Sequence, residues 1–152
     1  VVTVTDDEIS TAILALIEQQ KLIAEGAGAV SVAAAMFNKV DIKGKKVVCL
    51  VSGGNIDVTI LSRVINRGLL KAGRSADFTI ELPDKPGQLQ KVSSIIAGLG
   101  ANVVAVHHDH AGEDADITAC YLRISVETRD HNHVETLKKE LRKEGFQLRE
   151  QL

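Results

Sequence analysis

The chain has 152 residues, 45% apolar and 25% charged, with a formal net charge of −2. That length holds one ordinary domain or two small ones, and scattered lysines and arginines with few aromatics (Phe37, Phe78, Tyr121, Phe146) make no platform for nucleic acid. No apolar run approaches the roughly 20 residues of a membrane-spanning helix, and Cys49 and Cys120 lie within apolar runs, as buried free thiols of a reducing cytoplasm do.

The opening "VVTVTDDE" lacks a methionine, a basic segment and a signal-like core, and Val1–Val4 reads as a short strand inside a larger protein. Thr5 and Glu8 form a capping box, which satisfies two orphan amides at a helix start. Ile9, Ile13, Leu16 and Ile17 then stripe one face of a helix ending near Lys21. In "AEGAGAVSVAAAMFNK", Gly26, Gly28 and the alanines let a helix lie close against a neighbour. "DIKGKK" is a polar turn. Val47–Val51 is apolar at every residue, as expected of a parallel-sheet strand covered on both faces. Ser52, Gly53, Gly54 and Asn55 break that strand, and Ile56, Ile60, Val64, Leu69 and Leu70 mark the next helix. Gly73 and Arg74 read as a hinge.

From Ser75 the pattern changes. Ala76, Phe78, Ile80 and Leu82 alternate with polar residues, the signature of a half-buried strand. "PDKPG" is a turn in which Pro86 suits the first helical position. Leu89, Val92, Ile96 and Leu99 give the helix face, and Gly100 ends it. "NVVAVHHD" and "TACYLRISVE" are strands, Val134, Leu137 and Leu141 a second amphipathic helix closed by Gly145, and "FQLREQL" a last strand. Strand, helix, strand, strand, helix, strand is the ferredoxin-like α+β arrangement, βαββαβ. Residues 75–152 are thus expected to be one small domain. Residues 1–74, with two strands and three helices of a parallel sheet, are expected to be an incomplete α/β unit.

The Ser-Gly-Gly-Asn corner alone is compatible with a bare strand–helix turn or with a ligand. It is neither a GxGxxG nor a Walker loop. Its flanks say more. "AEGAGAVSVAAAMF" followed by "KKVVCLVSGGNID" resembles the end of the catalytic domain of threonine ammonia-lyases (threonine dehydratases), which have the tryptophan synthase β fold and use pyridoxal phosphate. "DFTIELPDKPGQLQKVSSIIAGLGANVVAVHHD" resembles an ACT domain, an amino-acid-sensing module. Together, joined by "RGLLKAGR", they resemble the form of the dehydratase with a single C-terminal ACT module.

The resemblance implies that Ser52 meets the pyridine nitrogen of the cofactor, that Gly53, Gly54 and Asn55 shape the backbone around the ring, and that Glu25 lies nearby. A hydroxyl there leaves the ring a weaker electron sink than a carboxylate would, which suits β-elimination. The family's Schiff-base lysine and phosphate loop match nothing in the chain, so no catalytic residue and no bound cofactor are expected in it. The longer enzyme would convert L-threonine (or L-serine) to 2-oxobutanoate (or pyruvate) and ammonia, in amino-acid metabolism such as isoleucine biosynthesis.

ACT modules pair edge to edge, so a homo-oligomer is implied, with an amino-acid effector at the seam. By motif the effector turn is Asp84, Lys85, Pro86, Gly87, Gln88 and Leu89: its helix-start amides suit a carboxylate, and Asp84 suits an ammonium. Asn102 matches a position that contacts ligand across the interface. The isoleucine-inhibited biosynthetic enzymes resemble a form with two modules, so isoleucine, valine, threonine and serine all stay open as effector. The alternative is a non-catalytic ACT sensor or dimerisation module whose residues 1–74 oligomerise.

"HHDHAGEDAD" places His108 and His110 on one strand face near Asp109, Glu113, Asp114 and Asp116, with His131 and His133 further on. No third ligand has a fixed spacing, so no metal is expected; histidines here could instead tune effector binding near neutral pH. "ETLKKELRKEG" reads as a solvated helix face, and no His–acid pair can be assigned to Cys120 as a nucleophile.

Overall fold

The computed structural model describes residues 1–110 and 119–149. Two compact units divide the chain at Val1–Ala72 and Gly73–Leu152. No helix among the described residues is long and apolar enough to cross a membrane.

The first unit is helical. α1 (Asp6–Ala15) starts at the reciprocal capping box, with Glu8 N–H on Thr5 Oγ1 (3.3 Å) and Thr5 N–H on Glu8 Oε2 (2.8 Å). It continues as a π-helical turn, Leu16–Gln20, and stops at Lys21, whose φ of 59° is left-handed. α2 (Gly26–Met36) and α3 (Val58–Lys71) follow. Ala12, Ile13, Leu16, Ala24, Ala29 and Ala33 form the core, with Val51, Leu61 and Val64 packed on it. At Gly68 the absent side chain lets α3 approach the Ser10 carbonyl and the Leu14 side chain of α1.

Several expectations need correction here. Val1–Val4 and Val47–Val51 are not strands. A strand exists by pairing with a neighbour, and neither segment has a ladder partner among the described residues. Residues 47–51 instead lie along α2, where Ser31 Oγ donates to the Leu50 carbonyl at 2.7 Å and Cys49 Sγ to the Ser31 carbonyl at 3.7 Å. Cys49 is therefore half-buried, not buried. Ile60, expected on the packed face of α3, is 52% exposed, because Leu61, Val64 and Gly68 make the contact with α1.

The second unit is a four-stranded antiparallel sheet of β1 (Ser75–Pro83), β2 (Asn102–His110), β3 (Ala119–Glu127) and β4 (Gln147–Arg149), in spatial order β2-β3-β1-β4. α4 (Gln88–Gly98) and α5 (His131–Lys143) cover one face. Ala76, Phe78, Ile80 and Leu82 of β1 share one core with Leu122, Ile124 and Val126 of β3, Val92 and Ile96 of α4, and Val134, Leu137 and Leu141 of α5. This is the ferredoxin-like layering. The uncovered face is polar, with Arg123 on Asp109 (2.9 Å through Nε) and Arg149 on Glu81 (3.0 Å). The charged face of the "ETLKKELRKEG" segment is solvated, and Lys138–Glu135 and Lys143–Glu140 pair across one turn of its surface.

Two turn details differ from expectation. Pro86 lies in the turn rather than at the first helical position: Gly87, with φ 89° and ψ −9°, is the N-cap, and α4 begins at Gln88. Leu89 is 43% exposed instead of buried on the α4 face.

Candidate functional site

The Ser-Gly-Gly-Asn corner sits against the start of α2. Glu25 N–H donates to the Gly53 carbonyl at 3.0 Å, and the Glu25 side chain lies over Gly53, whose φ of 73° is left-handed. The Ser52 carbonyl rests directly on Gly28. Glu25 and residues 52–55 thus form one constellation, while Ser52, Gly53, Gly54 and Asn55 are all exposed. An exposed hydroxyl beside bare glycine backbone fits one edge of a planar heteroaromatic ring. It is an edge, not an enclosed pocket.

The second site is a cavity of about 320 Å³ at the end of the sheet, at the small end of the roughly 300–1,000 Å³ range of ligand pockets. All six residues of the expected effector turn line it: Asp84, Lys85, Pro86, Gly87, Gln88 and Leu89. Lys85 N–H folds back onto the Pro83 carbonyl at 2.8 Å, and no side chain caps α4, so its first amides face the turn. Leu89 is exposed because it serves this cavity and not the core.

The cavity also takes in residues that sequence reasoning did not group with the turn, namely Leu82, Pro83, His108, Cys120 and Leu122. Strand register explains them. Leu82 pairs with Cys120 and His108 with Leu122, so all four share the helix-covered face, and Asp84 follows two residues after Leu82. One carboxylate oxygen of Asp84, one ring nitrogen of His108 and Cys120 Sγ lie within 4.8 Å of one another. Cys120 is 1% exposed; burial, then the nearby Asp84 charge, pushes its thiol up from the usual range.

Other candidates lie elsewhere. Asn102 is at the opposite end of β2 from the cavity and donates to Glu127 Oε2 at 3.0 Å. Asp109 is on the polar face, where the Arg123 guanidinium holds its carboxyl below the usual range. His133 is buried and bonds the Leu99 carbonyl through Nε2 (3.1 Å), and His131 lies beside Gly73. The His110 backbone pairs with Cys120 in the ladder, while Glu113, Asp114 and Asp116 fall outside the described residues.

Comparison with known proteins adds a family match and a set of relatives. Residues 77–146 match the ACT domain family. The chain is 45% identical over 148 residues to an L-threonine ammonia-lyase of Thermotoga maritima, covering 97% of this chain and 37% of that protein. An L-threonine ammonia-lyase of Geobacter sulfurreducens is 40% identical over 146 residues (96% and 36%), and a biosynthetic L-threonine dehydratase of Halalkalibacterium halodurans 33% identical over 150 residues (99% and 35%). The chain thus spans a little over a third of the length of these curated relatives. It carries an ACT domain at residues 77–146 and is related, over nearly its whole length, to the threonine ammonia-lyases.

Proposed function

We propose that the chain is the regulatory end of a pyridoxal-phosphate-dependent threonine ammonia-lyase, with residues 1–74 closing one edge of the cofactor site and residues 75–152 sensing an amino acid. In the longer enzyme the cofactor would supply the electron sink for loss of the β-hydroxyl of L-threonine or L-serine. Ser52 would present its hydroxyl to the ring nitrogen, Gly53 and Gly54 would let the ring approach the backbone, Asn55 would shape the far side of the turn, and Glu25 would hold the corner in place.

The observation that carries the sensing half is the cavity at the Asp84–Leu89 turn. Its helix-start amides are donors for a carboxylate, Asp84 is an acceptor for an ammonium, and Leu82, Leu89 and Leu122 offer an apolar wall. β2 is a nine-residue edge strand with Val104 and Val106 exposed, and exposed edges pair. If two copies join antiparallel through β2, the Asn102 end of one lies beside the His110 end of the other. Asn102, remote from its own cavity, would then reach its neighbour's. An effector acts on residues 1–74 only if it binds two arrangements of the protein with different affinity.

Calorimetric titration of the chain with isoleucine, valine, threonine and serine tests this reading. The expected result is saturable binding of one of them, lost in Asp84→Ala and weakened in Asn102→Ala. Binding unchanged in both variants would refute the assigned site. No binding by any amino acid, with a dimer intact, would leave the module as a dimerisation element.

A further inference from the structure

We propose that Asp84, His108 and Cys120 form a binding site for a borderline-soft divalent cation of the zinc class. Their ligand atoms lie within 4.8 Å of one another and come from three separate segments: the turn after β1, the end of β2 and the start of β3. The ladder sets this grouping. Cys120 is the partner of Leu82, and His108 stands one diagonal step from Cys120 across β2 and β3.

A zinc ion with bonds of about 2.0–2.3 Å in tetrahedral geometry holds its ligand atoms roughly 3.5 Å apart. The triangle therefore closes by roughly 1 Å at most. Asp84 and His108 are exposed and would exchange their present partners for the ion, while Cys120, in the core, stays as the fixed corner. The donor chemistry selects the ion: sulfur and imidazole nitrogen suit zinc or cobalt, whereas magnesium and calcium would find a single carboxylate. A buried thiol next to a carboxylate is a poor place for negative charge unless a cation joins it. On binding, Cys120 coordinates as the thiolate and its proton leaves to solvent. Three protein ligands leave a fourth position open to the cavity they line. The ordinary alternative is a core thiol beside a carboxylate that serves only an amino acid.

Cobalt(II) is the probe, titrated into the whole chain with a thiol-free reductant present. The expected result is saturation at one equivalent, with a near-ultraviolet sulfur-to-cobalt charge-transfer band that zinc abolishes by displacement. Cys120→Ser should lose the band and Cys49→Ser keep it. His108→Ala, a surface change, should weaken cobalt binding by at least the roughly 10–100-fold that loss of a mere outer-shell partner costs. Circular dichroism checks that each variant is folded. No charge-transfer band in the native chain, a band surviving in Cys120→Ser, or unchanged affinity in His108→Ala each overturns the site; the last holds even if Cys120→Ser fails to fold. Should the metal site fall by one of these outcomes, amino-acid binding by the metal-free chain keeps the sensing reading standing.

Discussion

The backbone N–H of Glu25 donates to the carbonyl of Gly53 at 3.0 Å, and three residues into α2 the bare Cα of Gly28 lies directly against the Ser52 carbonyl. The glycine-rich corner is thus clamped from one side by the first turn of α2. Position 28 has to be small for the clamp to close.

Gly28→Ala measures that clamp. A Cβ built there would land on the Ser52 carbonyl oxygen and 2.8 Å from its carbon. The obstacle is backbone, which cannot swing away. Overpacking costs about 1–3 kcal/mol, against about 1 kcal/mol gained by Ala over Gly in a helix. With backbone as the obstacle the upper end applies, so the net expectation is a loss of roughly 2 kcal/mol. Hydrogen exchange of the α2 and residue 50–54 amides checks it; slower exchange in the variant would mean that the contact is not a constraint.

Gly87 and Gly98 make a matched pair at the two ends of α4. Neither has an atom within 4 Å of a built Cβ, so sterics do not separate them, but Gly87 has φ 89° while Gly98 is an ordinary helical residue. Gly87→Ala should cost about 1–2 kcal/mol for a left-handed L-residue and weaken amino-acid binding, because the turn re-aims. Gly98→Ala should instead stabilise by about 0.5 kcal/mol. Urea unfolding of both variants decides, and equal effects would rule out backbone conformation as the cause.

What was legible in the sequence was whatever is local. The Thr5–Glu8 capping box closes within four residues, and the alternation of Ala76, Phe78, Ile80 and Leu82 needs only the pleat of its own strand. Val47–Val51 is just as apolar, yet it forms no ladder, because strand pairing depends on a neighbour that its own residues cannot encode. The Asp84–Leu89 turn was readable as a contiguous motif. The Asp84–His108–Cys120 grouping was not, since it follows from the register of β1 on β3 and of β3 on β2. His133, read as a candidate for metal or effector chemistry, is structural. Its Nδ1 accepts from Arg129 N–H at 3.2 Å, and its Nε2 lies 3.1 Å from the Leu99 carbonyl, so the ring ties the start of α5 to the end of α4.

The helices of the first unit should loosen in acid. The Lys71 ammonium, and then the Arg67 guanidinium, hold the Asp7 carboxyl below its ordinary range, tying α1 to α3. A carboxylate depressed in the folded state binds its proton more weakly there than in the unfolded chain. Its contribution is therefore complete above the unfolded value of about 3.9 and is lost as pH falls through the lower folded value. The groups are exposed, so the effect is modest and salt-dependent. Carboxyl NMR titration should give Asp7 a midpoint below that of the unfolded chain, shifted toward it in Lys71→Gln. A midpoint at the ordinary value would mean that the pair does not form in solution.

The surface around residues 47–60 should govern how the chain behaves on concentration. Val48 is 95% exposed, Leu50 79%, Val58 79% and Ile60 52%, and Val47 adds a further half-exposed side chain. Runs of apolar residues without ladder partners seek apolar surface or another strand. A second copy of the chain offers such a surface. Sedimentation velocity over a range of concentrations should therefore show concentration-dependent association. Val48→Lys with Leu50→Lys removes the apolar area of the segment, while the Ser31 hydroxyl's contact to the Leu50 carbonyl uses only backbone at position 50 and is retained. That double variant should lose the association that residues 47–60 contribute. If it associates as the native chain does, residues 47–60 are not the adhesive surface, and the β2 edge with exposed Val104 and Val106 is the place to substitute next.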